Sequence, residues 1–256
     1  MERGDLQADV VLITAPADCD ALMHVLADVW GYAESSAVAS NDTLRAMAYS
    51  GCYVAAVFVD DRLVGGGFGW PTFVDGEWRL HSHVIGFVDG YRALGLGARI
   101  KHHQREFVRA KGLSAVEWTY DPLHAANARF NLAKLGARVL AFHRDFYGEL
   151  KDTFSARLGS DRFVVRWGLD DEPPVLGTSD REYILCVGPH GEPVLAHSDA
   201  SEVRAQIPSD IVAMRQADKA MALAWRDAFA DTVGVELQQR AEVVGITADR
   251  EYLINR

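Results

Sequence analysis

One segment limits what this chain can fold into more than any other. His81-Ser-His-Val-Ile-Gly-Phe-Val88 reads as a strand, Asp89 to Gly97 turns, and Ala98-Arg-Ile-Lys101 opens a helix. The turn carries Arg92-x-x-Gly95-x-Gly97 at the strand-to-helix junction. Glycines let backbone N–H groups approach an anion closely, and a helix N-terminus adds ~half a positive charge. Arg92 adds a forked donor. Together these make a cradle for a pyrophosphate; the plainer alternative is a tight loop needing two glycines to turn. A dinucleotide site of Gly-x-Gly-x-x-Gly form fits poorly, because position 100 is Ile and the loop begins with an arginine. From Arg92 to Lys111 six basic residues face one acid, Glu106. That excess suits a ligand with several phosphates, or else a solvated helix face.

The neighbouring patterns predict the rest. Leu22, Val25, Leu26 and Val29 have helical spacing over 16–30, and a second short helix covers 42–48. Strands are expected at 53–59, 63–70 and 78–88, the first two joined through Asp60-Asp61 as a hairpin. After the helix over 95–111 come a strand at 113–120, a helix at 125–135 and strands at 139–143 and 162–167. This order predicts a mixed α/β fold, with a mostly antiparallel central sheet flanked by helices. Gly168 to Gly177 holds two prolines, two glycines and three acids and reads as a connector. The expected division is therefore a domain over 1–170 and an accessory α+β segment over 171–256. In that segment a hairpin is expected at 183–195, a long helix at 211–238, and short strands at 243–246 and 252–254.

Charge and composition narrow the partners. Hydrophobic residues form 49% of the 256, enough to support a core. Acids outnumber bases 36 to 26, a net charge of −10, which argues against a general nucleic-acid binder. Cys19, Cys52 and Cys186 form no pairing pattern, so idle thiols in a reducing cytoplasm are expected. No window approaches a membrane span, and Met1 to Val10 has no leader pattern.

Arg92-Ala-Leu-Gly-Leu-Gly97 resembles the Gln/Arg-x-x-Gly-x-Gly/Ala signature of the GNAT N-acetyltransferase superfamily. Downstream, Ala128-Arg-Phe-Asn-Leu-Ala-Lys-Leu-Gly136 is similar to that family's second motif. The resemblance covers about residues 10–168. More narrowly, His81 to His83 and Asp121 to Asn131, with Ile207-Pro-Ser-Asp210 and Ala224-Trp-Arg226, resemble a bacterial subfamily of acetyltransferases with a C-terminal extension. What the resemblance implies is an acyl-CoA donor, most simply acetyl-CoA, and an amine of a small molecule as acceptor. The pantetheine arm would run along Phe87 and Val88. The pyrophosphate would sit on Arg92, Ala93, Leu94, Gly95, Leu96 and Gly97, with Asn127 a further contact. No metal is implied. The accessory segment would pack on the acceptor side of the sheet or form a homodimer contact.

Acyl transfer to an amine needs a proton acceptor, donors for the developing oxyanion, and a route for the leaving thiolate. His81 and His83 stand two apart on a strand and so face one side. His83 lies nine residues before Arg92, which resembles the proton-relay histidines of the serotonin N-acetyltransferase branch. Two other readings of the pair remain, a packed structural pair and two ligands of a metal. The backbone N–H near Val88 is the expected oxyanion donor. The Tyr that many GNAT members place before Lys-Leu-Gly is Leu132 here. Tyr120 and Tyr147 are the candidate replacements, each also readable as a packing aromatic. Glu77, Glu117 and Asp121 could hold a cationic acceptor, or be solvated carboxylates or caps. Trp70, Phe73 and Trp78 could wall the acceptor pocket.

Overall fold

A computed structural model describes residues 8–32, 38–91, 94–148, 158–177 and 180–256. By internal contacts the chain divides into two compact units, Met1–Trp118 and Thr119–Arg256, so the division falls within one strand rather than at a loop.

The first unit opens with β1 (Ala8–Leu12) and α1 (Pro16–Trp30). Proline at the first helical position needs no N–H partner, and Gly31, at φ 69°, closes α1 in the left-handed conformation. Leu22, Met23 and Leu26 face inward and join Leu44, Val54, Ala56 and Phe68 in one apolar core. Leu44 comes from α2 (Asn41–Tyr49), whose N-cap Ser40 accepts from the Thr43 N–H.

Three antiparallel strands follow: β2 (Tyr53–Val59), β3 (Arg62–Val74) and β4 (Glu77–Phe87). Both hairpins have two-residue loops, Asp60-Asp61 and Asp75-Gly76, with positive φ at all four residues. That turn class matches the strand twist and accepts Asp and Gly. β3 runs four residues past its expected end, pairing Val74 with Glu77.

β4 is not regular. Three of its residues, Ser82, His83 and Val84, span the two β3 residues Gly69 and Phe68, so His83 is the extra residue of a bulge. Gly86 is required beyond it. A Cβ there would lie 2.3 Å from the Trp30 ring, so α1 can press on β4 only where a side chain is missing. α3 (Leu96–Ala110) then carries the chain to β5 (Ala115–Tyr120), which is parallel to β4.

The second unit holds α4 (Ala125–Ala128), continued by a π-helical turn over Arg129–Lys134, then β6 (Arg138–His143) and β7 (Arg162–Gly168). The seven-stranded sheet has the order β1-β2-β3-β4-β5-β7-β6. A second sheet contains β8 (Glu182–Val187), β9 (Pro193–Leu195), β10 (Glu202–Gln206), β11 (Glu242–Ile246) and β12 (Glu251–Asn255), in the order β11-β12-β10-β8-β9. Phe142 packs edge-on against Phe163 and Phe229, and Phe163 packs edge-on against Tyr252 and tilted against Phe229, so β6, β7 and the tail share one aromatic core.

The expected long helix is broken. α5 (Ile211–Ala217) stops at Asp218, whose extended backbone and carboxylate cap α6 (Lys219–Phe229) through the Met221 N–H. A π turn over Ala230–Gly234 and α7 (Val235–Gln238) complete the run. Asp therefore serves as a cap here rather than an exposed helical residue.

Candidate active site

The first unit gathers its chemistry around the bulge of β4. His81 and His83 do share one side, with ring centroids 5.8 Å apart. Trp70 lies against both imidazoles at 4.9 Å, and Phe68 approaches His83 at 5.6 Å. This wall strips water from the rings. Burial pushes the His83 pKa down to about 4, with the neighbouring His81 a smaller cause. Burial also lowers His81, helped by the Lys101 charge. Both imidazoles are therefore neutral at pH 7, the form that accepts a proton.

The β4–β5 ladder among the described residues comprises Leu80 with Val116 and His81 with Glu117. Beyond His81 the two strands are no longer paired in register. The Val88 N–H donates to the Val64 carbonyl at 2.9 Å. The N–H of Val88 itself is therefore already bound to β3. Successive residues of a strand point their N–H groups to opposite edges, so the Phe87 N–H is the one directed away from β3.

Gly95 precedes α3 in the left-handed conformation, φ 78°, and nothing lies within 4 Å of where a Cβ would stand. Leu94 and Gly95 are exposed, while the Leu96 side chain is buried. The first amides of α3 have no carbonyl inside the helix to bond. These features fit a phosphate group at the helix start. Arg92 and Ala93 lie outside the described residues. The basic run does not form one solvated face. Arg99 donates to the Ala8 carbonyl at 3.1 Å, Arg109 pairs with Glu106, and Lys101 points inward.

The proposed acceptor-binding carboxylates are otherwise engaged. Buried Arg79 donates to Glu117 at 2.9 Å and to Glu77 at 3.3 Å, and the Ser114 hydroxyl also donates to Glu77. Asp121 caps the Leu123 N–H at 2.9 Å and pairs with Arg215 at 2.7 Å, within the second unit. Each carboxylate already meets a cation of its own unit, so a free acidic patch for the acceptor is not what these three residues make.

Tyr120 and Tyr147 are in the second unit. Tyr120 is buried, shares a 3.4 Å contact with the Tyr252 hydroxyl, and is held protonated by burial. Tyr252 in turn donates to the Pro122 carbonyl at 2.7 Å. Tyr147 is exposed and its hydroxyl lies 3.0 Å from that of Thr119. Asn127 is exposed on α4, with its N–H directed to the His124 ring at 3.3 Å. Of the three aromatic residues expected at the acceptor, Trp70 joins the histidines. Phe73 and Trp78 pair with each other near the β3–β4 turn, more than half exposed.

Sequence reasoning missed Arg79, Ser82 and Gln104, and read Lys101 only as one of the basic run. Among the described residues no three His, Cys, Asp or Glu groups are arranged to hold a metal ion. No described helix is long and apolar enough to cross a membrane.

No protein-family model and no curated relative matches the sequence. Solved structures do match the fold. A protein assigned as an acetyltransferase from Acinetobacter baylyi superposes with a TM-score of 0.53 and 14% identity, over 68% of this chain and 99% of its own. Another, from Staphylococcus epidermidis, gives 0.52 and 13%, over 63% and 99%. Arabidopsis thaliana NAA60, solved with a bisubstrate analogue, gives 0.50 and 12%, over 65% and 100%. About two thirds of the chain thus carries the fold of these proteins, a mixed sheet flanked by helices. The remaining third is additional to it.

Proposed function

We propose that this chain is an acyl-CoA-dependent N-acyltransferase that moves an acetyl group from acetyl-CoA to an amine of a small molecule. The observation that carries the reading is the bulge at His83. It presents two desolvated, neutral imidazoles on one side of β4, on the strand that leads into the glycine turn at the start of α3. Gly95, Leu96 and Gly97 would hold the pyrophosphate through main-chain N–H groups; the Leu94 N–H already donates to the Tyr91 carbonyl, so Leu94, with Arg92 and Ala93, enters as a further contact that the resemblance implies. Phe87 would direct its N–H to the thioester carbonyl.

The donor supplies an activated acyl carbon. The amine nitrogen bonds to that carbon, the C–S bond breaks, and CoA leaves as a thiolate. The proton shed by nitrogen passes to His83, with His81 next in line. A base with a pKa near 4 is weak, so it acts as the amine becomes acidic on attack rather than by deprotonating a free ammonium beforehand. Trp70 forms an apolar wall beside the reacting amine. Tyr120 and Tyr147 are engaged within their own unit, and a thiolate can leave without a proton. The reading sets the reaction in the cytoplasm, where acetyl-CoA is supplied.

The test is thiol release from acetyl-CoA in the presence of varied amines, comparing wild type with His83→Ala. Release that requires an amine and falls in the variant supports the reading. A second reading is favoured by Leu132, which cannot donate a proton. A non-catalytic acyl-CoA sensor would bind the donor and release no thiol with any amine.

A further inference from the structure

The side of β4 opposite the histidines carries a polar cluster that the proposed reaction does not use. Ser82 lies within the bulge, between the two histidines in sequence, and is buried. Its Oγ receives two donors from α3, Lys101 Nζ at 3.1 Å and Gln104 Nε2 at 2.9 Å. Lys101 is 4% exposed, and its Nζ also sits 3.5 Å from the centre of the Trp118 ring on β5. Among the described residues no carboxylate lies within ion-pair distance of this lysine. The Gln104 carbonyl oxygen finds no partner there either.

Burying a lysine without a counter-ion is unfavourable, and an apolar side chain of the same length would hold α3 to the sheet at least as well. What the lysine and glutamine do that an apolar pair cannot is fix a hydroxyl by direction. A bulge has one residue too many for its ladder, so its side chains are not oriented by strand pairing alone. The two donors grip it from α3. They sit where β4 and β5 cease to pair, with Ser82 and Trp118 each the first residue past the last rung, His81 with Glu117.

We propose that Lys101 and Gln104 are positioning residues. They clamp Ser82 and thereby set the conformation of the bulge that presents His81 and His83. The inference deepens the transferase reading and rests on it for its catalytic consequence, but its structural core can be tested without any acyl donor. Lys101 also bears on His81 through its charge, the His83 ring lies 5.8 Å from that of His81, and Glu117 is the ladder partner of His81 on β5. Ring signals are therefore best compared at one fixed pH.

The experiment uses the full chain with Lys101→Met, Ser82→Ala and the conservative Ser82→Thr. Imidazole signals of His81 and His83 would be followed by NMR at fixed pH, together with the thermal midpoint, kcat, and KM for acetyl-CoA. The expected result is a folded Lys101→Met protein with a midpoint equal to or above wild type and shifted signals from both rings. Its kcat should fall at least 10-fold, with KM for the donor within about 2-fold, an energetic change of about 1.4 kcal/mol in the barrier. Ser82→Thr should restore most of what Ser82→Ala loses. Folded variants with unmoved ring signals would overturn the clamp, whatever the enzyme's activity. Shifted ring signals in a protein that neither binds acetyl-CoA nor releases thiol would leave the clamp standing and remove the transferase reading. If Lys101→Met fails to fold, the Ser82→Ala and Ser82→Thr pair decides by the same readouts.

Discussion

The two units treat their buried polar groups differently. In the second, cations and carboxylates find each other. Arg226 meets Asp145 and Asp161 at 2.7 Å each, Arg215 meets Asp121, and Tyr120, Tyr252 and Pro122 form a short chain of oxygens. In the first, the bulge of β4 gathers neutral imidazoles on one side, and a lysine that meets no carboxylate among the described residues on the other. Two imidazoles lie tilted against tryptophan, and a lysine is buried beside a serine and an indole. Paired charges are a structural arrangement. Desolvated titratable groups without counter-ions raise the energy of the folded state and are the pattern associated with chemistry. Arg79 with Glu77 and Glu117 is the exception in the first unit, and it shows how that unit treats charges that serve the fold.

This contrast can be broken by substitution. The largest effect is expected at His83→Ala, which should lower kcat by about 100- to 10,000-fold with little change in the acetyl-CoA Kd. Steady-state rates and calorimetry check it, and an unchanged kcat would place the chemistry elsewhere. Next, Arg79→Met leaves Glu117 buried and unpaired and should destabilise the protein by about 3 kcal/mol, read from denaturant midpoints. A stable Arg79→Met protein with a raised KM for the amine would instead return Glu117 to the acceptor site. Tyr252→Phe removes one hydrogen-bond donor from the Pro122 carbonyl and should cost about 1 kcal/mol. A much larger drop in turnover than in stability would show that the tyrosine pair reaches the reaction.

A pH prediction sharpens the same contrast. His83 has its pKa lowered in the folded state to about 4, against about 6.5 when unfolded. Between those values the unfolded chain binds the proton and the folded chain does not. Stability from this group is thus fully present above about 6.5 and declines as pH falls toward 4. His83→Phe should flatten that part of the stability curve. The acid limb of kcat should likewise lie near 4 rather than near the usual histidine value. The absence of a rate change with pH between 6 and 9 is compatible with His83 as the proton acceptor.

Much of the first unit could be read from sequence because its signals are local. The glycine turn before α3, the Asp-rich hairpin loop and the alternating strands all carry their own backbone demands. The bulge was not legible, since it is a mismatch between two strands rather than a property of one. The inward turn of Lys101 was legible in principle. Lys101, Gln104 and Val108 follow helical spacing and are all buried, but charge alone counted the lysine in the basic run open to a phosphate ligand or to solvent. The engagement of Glu77 by Arg79 also follows strand alternation, whereas Glu117 reaches Arg79 only through the parallel ladder. In the second unit β10 escaped notice although Val203 and Ala205 alternate inward and Ile207 continues the pattern, because the strand is short. The break at Asp218 depends on a cap that competes with helix continuation.

Calorimetric titration of the purified protein with acetyl-CoA, and separately with CoA, tests the central claim most directly. The account predicts saturable binding of both in the micromolar range, lost in Gly95→Val, whose left-handed backbone disfavours a branched side chain and whose Cβ would enter the open cradle. No binding at millimolar donor, or equal binding by Gly95→Val, would contradict it.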